Sequence, residues 1–288
     1  MRPDDLGDCV RAPRPDLRDA CPRGPHARLM AASTRAVLTA LLAALVAVAS
    51  LAQRFPRFED LDEMAVVGAA AVLALLLAIG WPVLLRLPNP LGSGVVIALG
   101  GVGAVLTVTA TKGALALRQL PVVLALAILL AFVNELARQD GRRRLVDSVA
   151  GTVTGLLVAT AASGWVASER MPGGSYLVVA GAVSLAFASF VSFGAGVSAV
   201  SHREWATALA TTAAGVVSGA AAAAVMPDTS PLVGAFLGLG TGMLIAALDA
   251  LFHRLPALRR PLASLAAIVL PVAVTGILVY VVGRVLAG

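Results

Sequence analysis

Apolar residues fall into nine long blocks separated by short polar or turn-forming breaks. Each block approaches the ~20 residues that a helix needs to cross a ~30 Å hydrocarbon layer. The blocks lie near 33–53, 64–86, 94–111, 119–137, 148–167, 176–200, 206–226, 232–252 and 262–283. Charge or turn chemistry fills the gaps, as in Pro88-Asn89-Pro90, Arg138–Asp147, Pro227–Pro231 and His253–Pro261. The pattern predicts an all-α fold, a polytopic membrane bundle of about nine transmembrane helices. Four parts follow along the chain: a tail at 1–32, a four-helix part at 33–145, a core of spans five to eight at 146–253, and a basic loop with the last helix at 254–288.

The tail carries six Arg against five Asp before residue 30, is rich in Pro and lacks apolar periodicity. Such a segment buries too little surface to offset its ordering entropy and is expected to be disordered. Met30, directly before an apolar run, is a plausible true start of translation. The first span also resembles a secretory signal, because Arg35 precedes an apolar core ending in Ala47-Val48-Ala49. An uncleaved signal-anchor is the expectation, with eight spans after cleavage as the alternative.

Arginine punctuation sets the expected direction. With the N-terminus inside, 16 Lys/Arg fall on the inner side and six on the outer. That is the positive-inside bias, giving N-in and C-out. Trp81, Trp165, Tyr176, Trp205 and Tyr280, all the Trp and Tyr of the chain, lie near span ends, as in an aromatic belt at the headgroups.

Composition sharpens the class. Of 288 residues 59% are apolar and 13% charged, with mean hydropathy +0.90. A soluble domain carries about a quarter charged residues, so a water-soluble fold and a separate catalytic domain are both excluded. The net charge of +6 is spread between spans, which argues against a nucleic-acid surface. Lys112 is the only lysine, and abundant Ala, Gly, Val and Arg suit a GC-rich bacterial coding sequence. The multi-pass protein is therefore expected in a bacterial inner (cytoplasmic) membrane.

A short pattern recurs. Ser163-Gly164, Met171-Pro172 and Ser175 return as Ser218-Gly219, Met226-Pro227 and Ser230, an offset of 55 residues without gaps. Both Met-Pro pairs fall at outer turns, so two hairpins would form a parallel repeat, one known transporter design. The plainer account is that Pro commonly follows a helix end. Gly151 and Gly155, Gly215 and Gly219, and Gly234, Gly238 and Gly242 stand four apart, the spacing that lets membrane helices approach closely. These stripes predict a compact central bundle of spans five to eight, with the Leu-rich spans one, two and four towards lipid. Pro82 and Pro271 inside spans two and nine predict kinks.

Charge deep in lipid is costly and usually functional, so ionisable residues within spans are the first site candidates. Asp249, with His253 four residues on, and Glu135, beside Asn134 and three residues before Arg138, lie near inner span ends. They could bind substrate or a proton, or simply pair at the interface. Hydroxyls lie deeper: Thr107 and Thr111, Thr152 and Thr160, Ser184, Ser189 and Ser192, Thr211 and Ser218, and Thr241. They could line a polar path, although such groups commonly bond the carbonyl one turn back.

Enzyme signatures are missing. There is no H-E-x-x-H or phosphate-cradling G-x-x-x-x-G-K-[ST], and His26, His202 and His253 are scattered. Cys9 and Cys21 have no partner at metal-ligand spacing. No catalysis, metal or cofactor is expected. Arg142–Arg144, Arg254, Arg259 and Arg260 are expected to touch anionic lipid. The leading reading is a permease-like or transporter-like protein for a neutral, amphipathic or lipid-linked substrate. The alternative is a non-transporting scaffold or accessory subunit of a cell-envelope complex, with a membrane-protein partner or a second copy of itself.

Overall fold

A computed structural model describes residues 25–52, 62–111, 117–138, 144–197, 204–227, 229–252, 255, 258 and 260–286. The chain divides into two compact units, Met1–Thr34 and Arg35–Gly288, and the packing described below belongs to the second. Of the tail expected to be disordered at 1–32, residues 1–24 lie outside the described residues, whereas 25–32 are helical, continuous with the first apolar span.

The described residues form a helical membrane bundle without strands: α1 (Pro25–Ala52), α2 (Asp62–Leu84), α3 (Pro90–Ala110), α4 (Leu120–Leu136), α5 (Leu145–Ala161), α6 (Ser163–Glu169), α7 (Gly174–Val197), α8 (Glu204–Val225), α9 (Pro231–Phe252) and α10 (Pro261–Leu286). Eight spans are long and apolar enough to cross a bilayer, α5 and α6 counting together as Leu145–Glu169. The ninth apolar helix, α4, has 17 residues, or ~25 Å at ~1.5 Å per residue, somewhat short of the hydrocarbon thickness.

Local chemistry explains several boundaries. Asn89 caps α3, its side chain accepting from Gly92 N at 3.1 Å, and Pro90 follows in the first turn, where its missing N–H costs nothing. Ser230 serves α9 in the same way, accepting from Leu232 N at 3.3 Å just before Pro231. Pro82 and Pro271 lie within helices that continue past them.

Span five is interrupted. At Ala162 the backbone switches to tighter bonds, Ala162 N to Ala159 O at 3.3 Å and Trp165 N to Ala162 O at 3.2 Å. The Ser163 hydroxyl also donates to Thr160 O at 2.7 Å. Beyond the break, Gly164 lies directly on the Gly276 backbone of α10, where any side chain would collide.

Helix order within the bundle differs from the glycine-based expectation. The central helices are α7 and α10, each with 61% of its span buried, followed by α2 with 50%. By contrast α8 is peripheral at 22%. Span two, expected towards lipid, is held inside by small contacts: a Cβ on Gly80 would sit 2.7 Å from Ala266 N of α10. Span seven is outside because its glycines serve one neighbour only. Gly215 and Gly219 meet Gly234, Gly238 and Gly242 of α9, with added Cβ atoms falling 3.1 Å from the Gly242 and Gly238 Cα atoms. Backbones touch there, the geometry that small residues permit in lipid.

The aromatic-belt expectation also needs correction for two of five residues. Trp165 is wholly buried, its indole N–H donating to Val272 O at 2.9 Å, and buried Trp81 donates to Gly151 O at 2.9 Å. Both rings tie helices together because a buried indole N–H needs an acceptor. Trp205 is 60% exposed and Tyr176 and Tyr280 are half-buried.

The two copies of the Ser-Gly/Met-Pro pattern occupy unlike surroundings. Gly164 packs on α10, whereas Gly219 packs on α9, its own hairpin partner. The first copy follows a helix break; the second lies inside the continuous α8.

Candidate functional site

Two polar clusters form at the end of the bundle where α4, α7 and α9 finish. In the first, Glu135 is buried, forms an ion pair with buried Arg138, and accepts from the Ser148 hydroxyl at 2.9 Å. The network continues inwards: Thr152 bonds Ser148 O at 2.8 Å and the Ser93 hydroxyl at 2.9 Å. Asn134 accepts from Asn89 at 3.5 Å. Three helices, α3, α4 and α5, are thereby joined. Since the carboxylate has a cation and a hydroxyl within reach, this cluster is sealed and satisfied.

The second cluster is more open. Asp249, near the end of α9, is half-buried and accepts a short hydrogen bond from Ser192 of α7. Half-buried Arg35, near the start of α1, lies within electrostatic reach of this carboxylate. Eight residues earlier on both helices, wholly buried Thr241 donates to Ser184 at 3.1 Å, and Ser184 in turn donates to Gly181 O at 2.9 Å. The equal spacing means that α7 and α9 run parallel and in register, with polar pairs at two levels ~12 Å apart. His253 lies outside the described residues.

The other hydroxyls divide by partner. Thr107 donates to Gly103 O at 2.7 Å, Thr111 to Thr107 O at 2.8 Å, Thr160 to Leu157 O at 2.9 Å and Ser218 to Ala214 O at 2.7 Å, all within one turn of the same helix. Thr211 is buried where α8 meets Gly242. Of Thr107, Thr111, Thr152, Thr160, Thr211 and Ser218, Thr152 alone bonds another helix, through Ser93. Gly151 and Gly155 pack on side chains: added Cβ atoms would fall 2.6 Å from Leu87 Cδ2 and 2.7 Å from Ile97 Cδ1.

A third cluster, at the opposite end, is one that sequence reasoning missed. Arg170 donates to Val108 O at 2.5 Å, Thr109 O at 2.6 Å and Thr111 O at 2.7 Å, filling the open carbonyls at the end of α3. Its neighbour Glu169 accepts from Ser50 of α1 at 2.8 Å. A loop Glu-Arg pair reads as solvated charge, and nothing in the sequence marks the two helix ends it reaches.

Comparison with protein-family models, curated proteins and solved structures returns no match. Among the described residues no three His, Cys, Asp or Glu side chains gather as metal ligands. The chemistry on hand is that of hydroxyls and one half-buried carboxylate: hydrogen bonding to a polar group.

Proposed function

We propose that the protein is a permease-like protein of a bacterial inner membrane, moving a neutral, amphipathic or lipid-linked solute along the α7–α9 seam. The observation that carries this reading is the stacked Ser192–Asp249 and Ser184–Thr241 pairs between two parallel helices. Each pair offers a solute replacement hydrogen bonds as the helices part, so a polar group need not lose its partners on entering the bundle. Asp249, half-buried and near Arg35, is the entry residue on the cytoplasmic side. Glu135, already paired with Arg138 and Ser148, is assigned a structural role. Anionic lipid meets the inner surface at exposed Arg260 and around Arg144, although Arg144 also pairs with Asp147 at 3.0 Å.

Reconstitution tests the proposal. Proteoliposomes should take up at least one member of a panel of neutral and amphipathic solutes, and Asp249→Asn should abolish that uptake while remaining folded. Uptake unaltered in Asp249→Asn would remove the seam from the account.

The second reading, a scaffold or accessory subunit, draws on α8. Its exposed face presents Trp205, Leu209 and Val217, each at least 60% exposed, to lipid or to a partner helix. Isolation in mild detergent with a stoichiometric envelope protein, joined to silence across the solute panel, would favour it.

A further inference from the structure

We infer that α6 is a hinged latch that closes the outer end of the bundle, with the Glu169–Arg170 pair as its catch. The inference rests on the permease reading for its purpose and on separate geometry for its mechanics. The hinge is the break at Ala162, where tighter i to i−3 bonds replace the regular ladder and Ser163 bonds the Thr160 carbonyl. Helix interruptions of this kind are where a membrane helix can swing without breaking its backbone pairing elsewhere. The pivot is Gly164 against the Gly276 backbone, and the neighbouring Trp165, whose N–H bonds Val272 O, is a tie at this joint that release must strain or break. An added Cβ on Gly276 itself would fall 3.0 Å from Ala161 O, so the joint is bounded on both sides of the break.

The catch lies seven residues beyond the hinge. Arg170 holds three carbonyls at the end of α3, and Glu169 holds the Ser50 hydroxyl at the end of α1. The Ser50 hydroxyl also lies 3.4 Å from Ser175 O, so the start of α7 belongs to the same closure. Two adjacent residues of opposite charge therefore tie the ends of two separate helices to a short, independently hinged one. With the catch made, Ser163 to Ser168 are wholly or almost wholly buried. Release would expose this stretch from the outer side while the Glu135 cluster at the opposite end stays sealed.

The test reads exposure and needs no substrate. Cys9 and Cys21 are replaced by Ser, and a single cysteine is placed at the buried position Ser168→Cys, with Ser93→Cys at the other end as control. Alkylation by a membrane-impermeant maleimide is followed on right-side-out vesicles. Arg170→Ala should raise the rate at position 168 at least tenfold and leave position 93 unchanged. Ser50→Ala, which removes the bond to Glu169 and the weaker contact to Ser175 O, should raise it several-fold and decides the matter if Arg170→Ala does not fold. Unchanged rates at 168 in a folded variant, or equal rises at 168 and 93, overturn the latch. Loss of solute uptake with the latch behaviour intact would instead count against the permease reading.

Discussion

Ser192 donates to Asp249 across the seam between α7 and α9, and the same separation of 57 residues joins Ser184 to Thr241 one layer deeper. Parallel helices in fixed register are needed for one offset to serve twice. Asp249→Asn keeps the volume and an acceptor for Ser192 but removes the charge. Its folded yield and melting temperature should stay close to the parent's while solute uptake is lost. Ser192→Ala should cost about 1–3 kcal/mol, because a half-buried carboxylate loses a charge-assisted bond. Detergent melting curves with uptake measured in parallel check both.

Glu135 should behave in the opposite way. Removing it takes the carboxylate from Arg138, whose side chain is only 5% exposed, and leaves the Ser148 hydroxyl without its acceptor. Breaking a buried pair on one side typically costs about 3–5 kcal/mol. Glu135→Ala should therefore lower folded yield sharply, and Glu135→Ala with Arg138→Met should recover much of it. A functional defect in Glu135→Gln at full stability would contradict the structural assignment.

Glycine substitutions should separate contact from spacing. Gly219 and Gly238 touch backbone across the α8–α9 interface, whereas Gly68 has nothing within 4 Å and Gly103 only Val123 Cγ1 at 3.8 Å. Gly219→Ala and Gly238→Ala should loosen α8, seen as faster proteolysis of the 204–227 segment. Gly68→Ala and Gly103→Ala should be neutral or stabilising by up to about 1 kcal/mol, the helix propensity gain.

Trp81 and Trp165 should report a dry interior. In variants that keep one tryptophan each, both should resist aqueous quenchers and emit to the blue of Trp205. Trp165→Phe removes the bond to Val272 O and should destabilise by about 1–3 kcal/mol. Ready quenching of Trp165 would restore the belt reading.

The spans were legible because hydrocarbon thickness imposes one length on every block, and their breaks carry Pro, Asn or charge. Position along each helix was legible too; direction around the helix was not. Trp81 and Trp165 lie near span ends yet face inwards, since position along a helix says nothing about which neighbour the ring meets. The glycine stripes marked close contact but not centrality, so α8 was placed inside and α2 outside, the reverse of what packing gives. Nothing in Ala161-Ala162-Ser163 signals a break, because it is bound up with packing of Gly164 on Gly276, a partner more than a hundred residues away. For the same reason Asp249 could be picked out as an ionisable group within a span, but its partner Ser192 could not.

Orientation and access meet at one position, and labelling a single cysteine there is the most direct measurement. With Cys9 and Cys21 replaced and Asp249→Cys introduced, an impermeant maleimide should react in inverted vesicles and not in right-side-out ones. Reaction only from the outside would reverse the nine-span, N-in arrangement, and no reaction from either side would close the seam that the proposed path requires.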